Sequence, residues 1–209
     1  SEKIGSGSFI NFIKGKYHKP KIENRVFMFL DIKSSTSIAE KIGHVEYFEL
    51  LKEYYHILSN AVIEYSGEIY QYVGDEIVIT WNLSKGIMNN NCIKCFFKMK
   101  SDLKERQYWF EQKFGVYPEF KAGLHLGEVT TGEIGRIKKD IIFTGDVLNT
   151  TARIQSLCND LQVDNLISKD LISNLRLETN FLIKTIGTKA LKGKLASIEL
   201  FTIKDSTSC

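Results

Sequence analysis

"QYVGDEIVIT", Gln71 to Thr80, places Gly-Asp-Glu between two runs of strand-forming residues. Extended on both sides it reads "EIYQYV" and then "EIVITW", alternating about Gly74-Asp75, which is the pattern of a β-hairpin closed by a tight turn. A carboxylate at a hairpin tip is poorly placed to be hidden and well placed to hold a cation. The question is which other groups the fold brings to Asp75.

Working towards the N-terminus, "RVFMFLDI" (Arg25–Ile32) is a buried strand that ends in a charge, Asp31. "SSTSIAEKIG" follows, with Ser34 or Ser35 as the cap of a helix. From His44 to Tyr65, Val45, Phe48, Leu51, Tyr55, Leu58 and Val62 recur at helical spacing, and Gly67 is read as the stop. A strand, a helix and a hairpin in that order bring the end of the first strand beside the hairpin tip. Asp31 and Asp75 then converge, and their repulsion calls for hard divalent cations with oxygen ligands.

Working towards the C-terminus, a second long helical segment spans Met88–Phe114. "EFKAGLHLG" and "EVTTGEIG" read as a strand pair, and "GDVLNTTARIQSLC" as a helix. Short strands and a short helix fill Val163–Ile203. Long helices alternating with hairpins give an α+β architecture, a central antiparallel-rich sheet with helices packed on it. On the third helix Asn149 and Arg153 lie one turn apart on one face. An amide able to orient a sugar oxygen there stands beside a guanidinium able to neutralise a phosphate.

Composition bounds the alternatives. With 209 residues, 43% hydrophobic and 25% charged, the chain can bury a core without disulfides or a structural metal. Four cysteines form no dense framework, which is expected of a reducing, cytoplasmic setting. Cys92-x-x-Cys95 has no second ligand pair and reads as helix packing, His125 reads as structural, and the tyrosines of "EYFELLKEYYHIL" read as packing on the sheet or at a subunit contact. Residues 1–25 hold six Lys/Arg against two Glu, a net of +4, leaving −1 on the remainder. A near-neutral folded part argues against nucleic acid as a partner. Residues 1–24 are read as a basic leader or linker, 25–203 as one domain and 204–209 as a tail. The basic leader and the missing initiator Met lead to the expectation of a membrane or sensor segment upstream, the chain being its cytosolic domain.

"FMFLDIKSST", "GEIYQYVGDEIVITW", "AGLHLGEVTTGEIG", "GDVLNTTARI" and "LKGK" occur in the order, and with the content, of one family: together they resemble the catalytic domain of class III nucleotidyl cyclases, over Arg25–Ile203. The resemblance implies a ferredoxin-like βαββαβ core and conversion of ATP to 3′,5′-cyclic AMP and pyrophosphate. It implies two Mg²⁺ or Mn²⁺ ions per site, held by Asp31, Asp75 and the Ile32 carbonyl. Asn149 would orient the ribose, Arg153 would stabilise charge on the α-phosphate, and Lys194, with Lys192 as fallback, would hold the triphosphate. In such enzymes the site lies between two domains, so a homodimer with two equivalent sites is expected. Gln71 and Ile142 occupy the two base-reading positions and match neither the adenine-selecting nor the guanine-selecting pair, which leaves GTP open as a second substrate. The hairpin also resembles the GG-D-E-F signature of diguanylate cyclases. That reading needs glycine at Val73 and an aromatic at Ile77, and leaves Asn149 and Arg153 unexplained. A catalytically silent nucleotide sensor is the other alternative, against which all five polar site residues argue.

Overall fold

Alternation in "VFMFLDI" sends successive side chains to opposite faces of a strand, and here both faces are covered. The computed structural model describes residues 19–193 and 197–206. Strand β1 (Lys21–Ile32) starts four residues before the expected Arg25 and is buried from Arg25 to Leu30. Val26, Met28, Leu30 and Ile32 join the main core, while Phe27 and Phe29 belong to a second cluster on the opposite face.

Helices α1 (Ser35–Ile42) and α2 (His44–Glu64) follow, then the hairpin β2 (Glu68–Val73) and β3 (Glu76–Asn82). Short α3 (Leu83–Ile87) and a 3₁₀ turn lead into α4 (Asn91–Glu105) and α5 (Gln107–Phe114), so the expected long helix is broken at Arg106. Strand β4 (Phe120–Ile134) is one 15-residue strand, where a strand pair was expected. Its hairpin partner is β5 (Asp140–Thr144). Gly127 is no turn: a Cβ there would lie 2.8 Å from Val147 Cγ2, so the glycine gives room to the next helix. That helix is α6 (Asp146–Asp160), followed by β6 (Asn165–Ser168), α7 (Lys169–Ile172), β7 (Phe181–Ala190) and β8 (Ser197–Asp205).

The sheet runs β2-β3-β1-β4-β6-β8-β7, with β5 paired to β4. Its first half, β1-α2-β2-β3-α4-β4, is the expected ferredoxin-like unit, with β1 antiparallel to both β3 and β4. Only the β4–β6 contact is parallel among the described strands. Helices α2 and α4 cover one face; α6 covers the other, over β4 and β1.

Helix α2 buries Leu50, Tyr54, Ile57, Leu58, Ala61 and Val62. Val45 and Phe48, expected on the same face, are 76% and 62% exposed. The apolar periodicity begins about a turn and a half before Leu50, the first buried residue of the helix. The helix ends at Glu64, and Ser66 rather than Gly67 takes the left-handed backbone, at φ 58°. No described helix is long and apolar enough to cross a membrane.

Candidate active site

Register fixes the surroundings of Asp31. On β1 it lies directly opposite Glu76 of β3 and Lys121 of β4, so three charged side chains share one row of the sheet. The hairpin turn supplies the fourth. Gly74 has φ +62°, a conformation that costs a Cβ-bearing residue and leaves glycine unstrained. That turn delivers Asp75 to Asp31, and the two carboxyls hydrogen-bond to each other.

Two carboxyls in contact cannot both be charged without cost. Burial, together with the bond to Asp75 and its charge, pushes Asp31 from the ordinary 3.8 up to about 7. Burial also pushes Asp75 upward, but hydrogen bonds with Asp31 and Ser35 outweigh it and hold that carboxyl below its usual value. The pair therefore retains one proton near neutrality, titrating as a unit. Ser35 thus serves Asp75. Neither serine caps α1 through its side chain, because Ser34 is left-handed at φ 55° and makes no such bond.

Lys121 was missed by the sequence reading. It is 6% exposed, and its Nζ donates to Asn159 Oδ1 at 2.7 Å while its charge acts favourably on both aspartates. The available signal was a lysine between buried residues in "EFKAGL", a place where an unpaired charge is costly. Gln155 was missed too. From α6 its Nε2 donates to Asp31 Oδ2 at 3.5 Å, and it is 5% exposed. Gly123 permits this approach, since a Cβ there would stand 2.5 Å from the Gln155 backbone nitrogen.

Helix α2 closes the site from behind. Tyr55 donates to the Gly74 carbonyl at 2.7 Å and packs at a tilt against Tyr72 with centroids 4.6 Å apart, which clamps the hairpin turn. Tyr47 lies beside Ser35 without a well-formed hydrogen bond, and burial beside Asp75 pushes its phenol up to about 12. Ile32 follows Asp31 with its side chain in the core.

Asn149 and Arg153 project from α6 one turn apart, the first exposed and the second half-exposed. Among the described residues neither side chain makes a hydrogen bond or ion pair. Gln155 is two residues past Arg153, about 200° round the helix, so Arg153 faces away from the carboxylates its own helix touches. The "LKGK" turn meets it: a Cβ on Gly193 would lie 3.5 Å from Arg153 Nη2. Lys192 is exposed, and Lys194 lies outside the described residues.

Gln71 is exposed just after a bulge in β2, and Ile142 is half-buried on β5. The strands carrying them meet through their neighbours. Tyr70 and Phe143 pack edge-on at 4.8 Å, and the Phe143 N–H donates to the Tyr70 hydroxyl at 3.3 Å. Beneath them Arg25 is 2% exposed, bonded to Thr80 and Glu68 and lying 4.8 Å over the Phe143 ring.

Elsewhere, Cys92 and Cys95 are buried on α4, and burial pushes the Cys92 thiol up to about 12, so it packs as a protonated thiol. His125 is buried, its Nδ1 2.7 Å from Ser168 Oγ, which also caps α7. Among the described residues no cluster of three or more His, Cys, Asp or Glu could hold a metal by protein ligands alone.

Residues 17–205 match the family model described as the adenylate and guanylate cyclase catalytic domain. "Adenylate cyclase 2" of Rhizobium meliloti is 36% identical over 202 residues, covering 95% of this chain and 56% of that protein. "Guanylyl cyclase C" of Sus scrofa is 25% identical over 184 residues, covering 87% of this chain and 17% of that one. This chain thus spans about half of the first relative and a small part of the second. The adenylyl cyclase CyaB from P. aeruginosa superposes with a TM-score of 0.77 at 22% identity, over 90% of this chain and 97% of that one, a likeness of fold.

Proposed function

The chain belongs to the family of adenylate and guanylate cyclase catalytic domains, and we propose that it converts ATP to 3′,5′-cyclic AMP and pyrophosphate at sites formed between two copies of itself. The observation that carries this reading is the Asp31–Asp75 pair, a carboxyl near the end of β1 brought against a carboxyl at the Gly74 turn.

The side-chain donors are oxygen, which suits Mg²⁺ or Mn²⁺. Two carboxylates are too few to hold such an ion alone. They suffice when substrate phosphates complete the coordination, as Mg²⁺ sites commonly arrange. Asp31, Asp75 and the Ile32 carbonyl would be the protein's ligands. Two ions per site would supply Lewis-acid activation of the ribose 3′-hydroxyl and neutralise the triphosphate. In the reaction a bond forms from the 3′-oxygen to the α-phosphorus, and the α–β P–O bond breaks as pyrophosphate leaves.

The chain's own work is positioning and charge. Asn149 orients the ribose, Arg153 meets charge gathering on the α-phosphate, and Lys194, with Lys192 as fallback, holds the terminal phosphates. Because Arg153 turns away from its own Asp31, these groups serve the carboxylates of a second copy, and a two-fold dimer has two such sites. Gln71 offers both a donor and an acceptor to a base edge, whereas Ile142 offers neither. Guanine O6 against Ile142 would lose a hydrogen bond at about 1–3 kcal/mol. Adenine's amino group can turn to main-chain carbonyls near Thr144. ATP is the preferred substrate, and GTP is cyclised more slowly.

The test is product analysis of purified protein with Mn²⁺-ATP and with Mn²⁺-GTP. Equimolar cyclic AMP and pyrophosphate, lost in Asp75→Ala, supports the reading. Faster cyclic GMP formation overturns the choice of ATP, and no cyclic product from either nucleotide overturns the cyclase reading.

A further inference from the structure

One extra residue in a strand changes the face to which the following side chains point. Strand β2 has such a bulge at Tyr70. Ile69 pairs with Ile79 and Gln71 with Val78, so Tyr70 has no partner in the ladder. Side chains paired across strands share a face. Ile69 packs on the main core, whereas Val78 belongs with Phe143 to the second cluster on the opposite face, and Tyr70 packs there too. Strict alternation would send Gln71 to the side of Ile69. The extra residue turns it instead to the side of Val78 and Phe143.

Tyr70 also ties β2 to β5. Among the described strands β5 pairs with β4 alone, and an edge strand presents a row of unpaired main-chain groups. The Tyr70 hydroxyl accepts from one of them, the Phe143 N–H, at 3.3 Å, and the two rings meet edge-on with centroids 4.8 Å apart. Phe143 is braced in turn by Phe27 at 5.7 Å and by the Arg25 guanidinium 4.8 Å over its ring. A phenylalanine at position 70 would keep the ring contact, so the hydroxyl adds one thing, a hydrogen bond between two strands that share no ladder.

We propose that Tyr70 is a positioning residue for purine recognition: its bulge presents Gln71 to the base, and its hydroxyl holds the β5 main chain, with Ile142 and the carbonyls near Thr144, at a fixed distance from Gln71. The inference rests on the reading of Gln71 and Ile142 as the base-reading positions. The Ile142 side chain offers no hydrogen bond, so adenine's amino group depends on main-chain acceptors of β5. Those acceptors serve only while the strand keeps its place. Guanine loses less when β5 shifts, because its O6 already faces Ile142 unpaired. Loss of the tie therefore erodes the preference for ATP instead of slowing both nucleotides alike.

The test is Tyr70→Phe, with 3′-deoxy-ATP and 3′-deoxy-GTP as probes, which lack the attacking oxygen and bind without turnover. With Mn²⁺ present, calorimetry should show 3′-deoxy-ATP bound about fivefold more weakly, the worth of one hydrogen bond, and 3′-deoxy-GTP within about twofold of wild type. KM for ATP should rise by the same factor as the first of these, with kcat and the affinity for Mn²⁺ alone unchanged. The Phe143 amide should exchange its hydrogen faster than in the wild type. Gln71→Ala separates this inference from the reading beneath it. An unchanged ratio of the two affinities in Tyr70→Phe, with the ratio altered in Gln71→Ala, would overturn this inference alone. An unchanged ratio in both variants would overturn the base-reading assignment and the inference with it. Equal weakening of both analogues in Tyr70→Phe would make the hydroxyl merely structural, and would overturn the inference as well.

Discussion

Replacing Gly123 by alanine tests whether the seat of α6 governs catalysis. The added Cβ would stand 2.5 Å from the Gln155 nitrogen and 2.8 Å from its Cα, backbone atoms that no rotamer change can move. Carbon contacts are comfortable at about 3.5–4.0 Å, so the helix must retreat by about 1 Å. Overpacking of this kind costs about 1–3 kcal/mol. For a domain of this size that is a fall in thermal midpoint of about 3–10 °C. The retreat also lengthens the Gln155–Asp31 contact and carries Asn149 and Arg153 with it. If these two groups position the substrate as proposed, a displacement of about 1 Å costs about a hundredfold in rate. The assay is cyclic AMP formation with saturating Mn²⁺-ATP, well below the variant's midpoint, beside a thermal melt. Gly132→Ala is the control on the same strand, because its Cβ would meet Pro20 at 3.7 Å, an ordinary contact. Turnover of Gly123→Ala within threefold of wild type, with the midpoint lowered as expected, would refute the link between helix position and rate.

The carboxylate pair gives a pH prediction. Asp31 is raised from 3.8 to about 7, so between those values the folded chain keeps a proton that the unfolded chain has lost. Metal-free stability should therefore fall as pH rises through that window, while Mn²⁺ affinity climbs and levels above about 7; calorimetric titration across the window checks both, and pH-independent affinity would contradict them. Gln71→Lys should raise the ratio of cyclic AMP to cyclic GMP by about tenfold, the worth of one charge-assisted hydrogen bond, measured at equal ATP and GTP. Arg25→Ala removes a buried guanidinium bonded to Thr80, Glu68 and Glu23 and packed over Phe143, and should cost about 1.5–3 kcal/mol in urea unfolding.

Much of the site was legible because it rests on short-range patterns. The Gly74 turn and the charge closing "VFMFLDI" are each local, and the helical spacing of Asn149 and Arg153 needs no knowledge of the rest of the chain. What escaped depends on register and on how a helix is rolled. Lys121 and Glu76 flank Asp31 only because β1 pairs with β4 and β3 in one particular alignment. Gln155 is ordinary until α6 settles on Gly123. The same limits explain the misreadings of the fold. "EFKAGLHLG" and "EVTTGEIG" read as two strands, yet Gly127 between them makes room for Val147, and β4 runs straight through it. On α2 the periodicity of Val45 and Phe48 promised burial, but the sheet does not extend beneath them. The sequence pattern specifies a face and not the surface that covers it.

The central claim is that each site takes its carboxylates from one copy and its Asn149 and Arg153 from another. Mixing Asp75→Ala with Arg153→Ala, each inactive alone, and allowing subunits to exchange tests it directly. Random exchange makes half the dimers mixed, each with one intact site of two, so cyclic AMP formation should recover to about a quarter of wild type. Continued inactivity, with mixed dimers shown to be present, would contradict the claim.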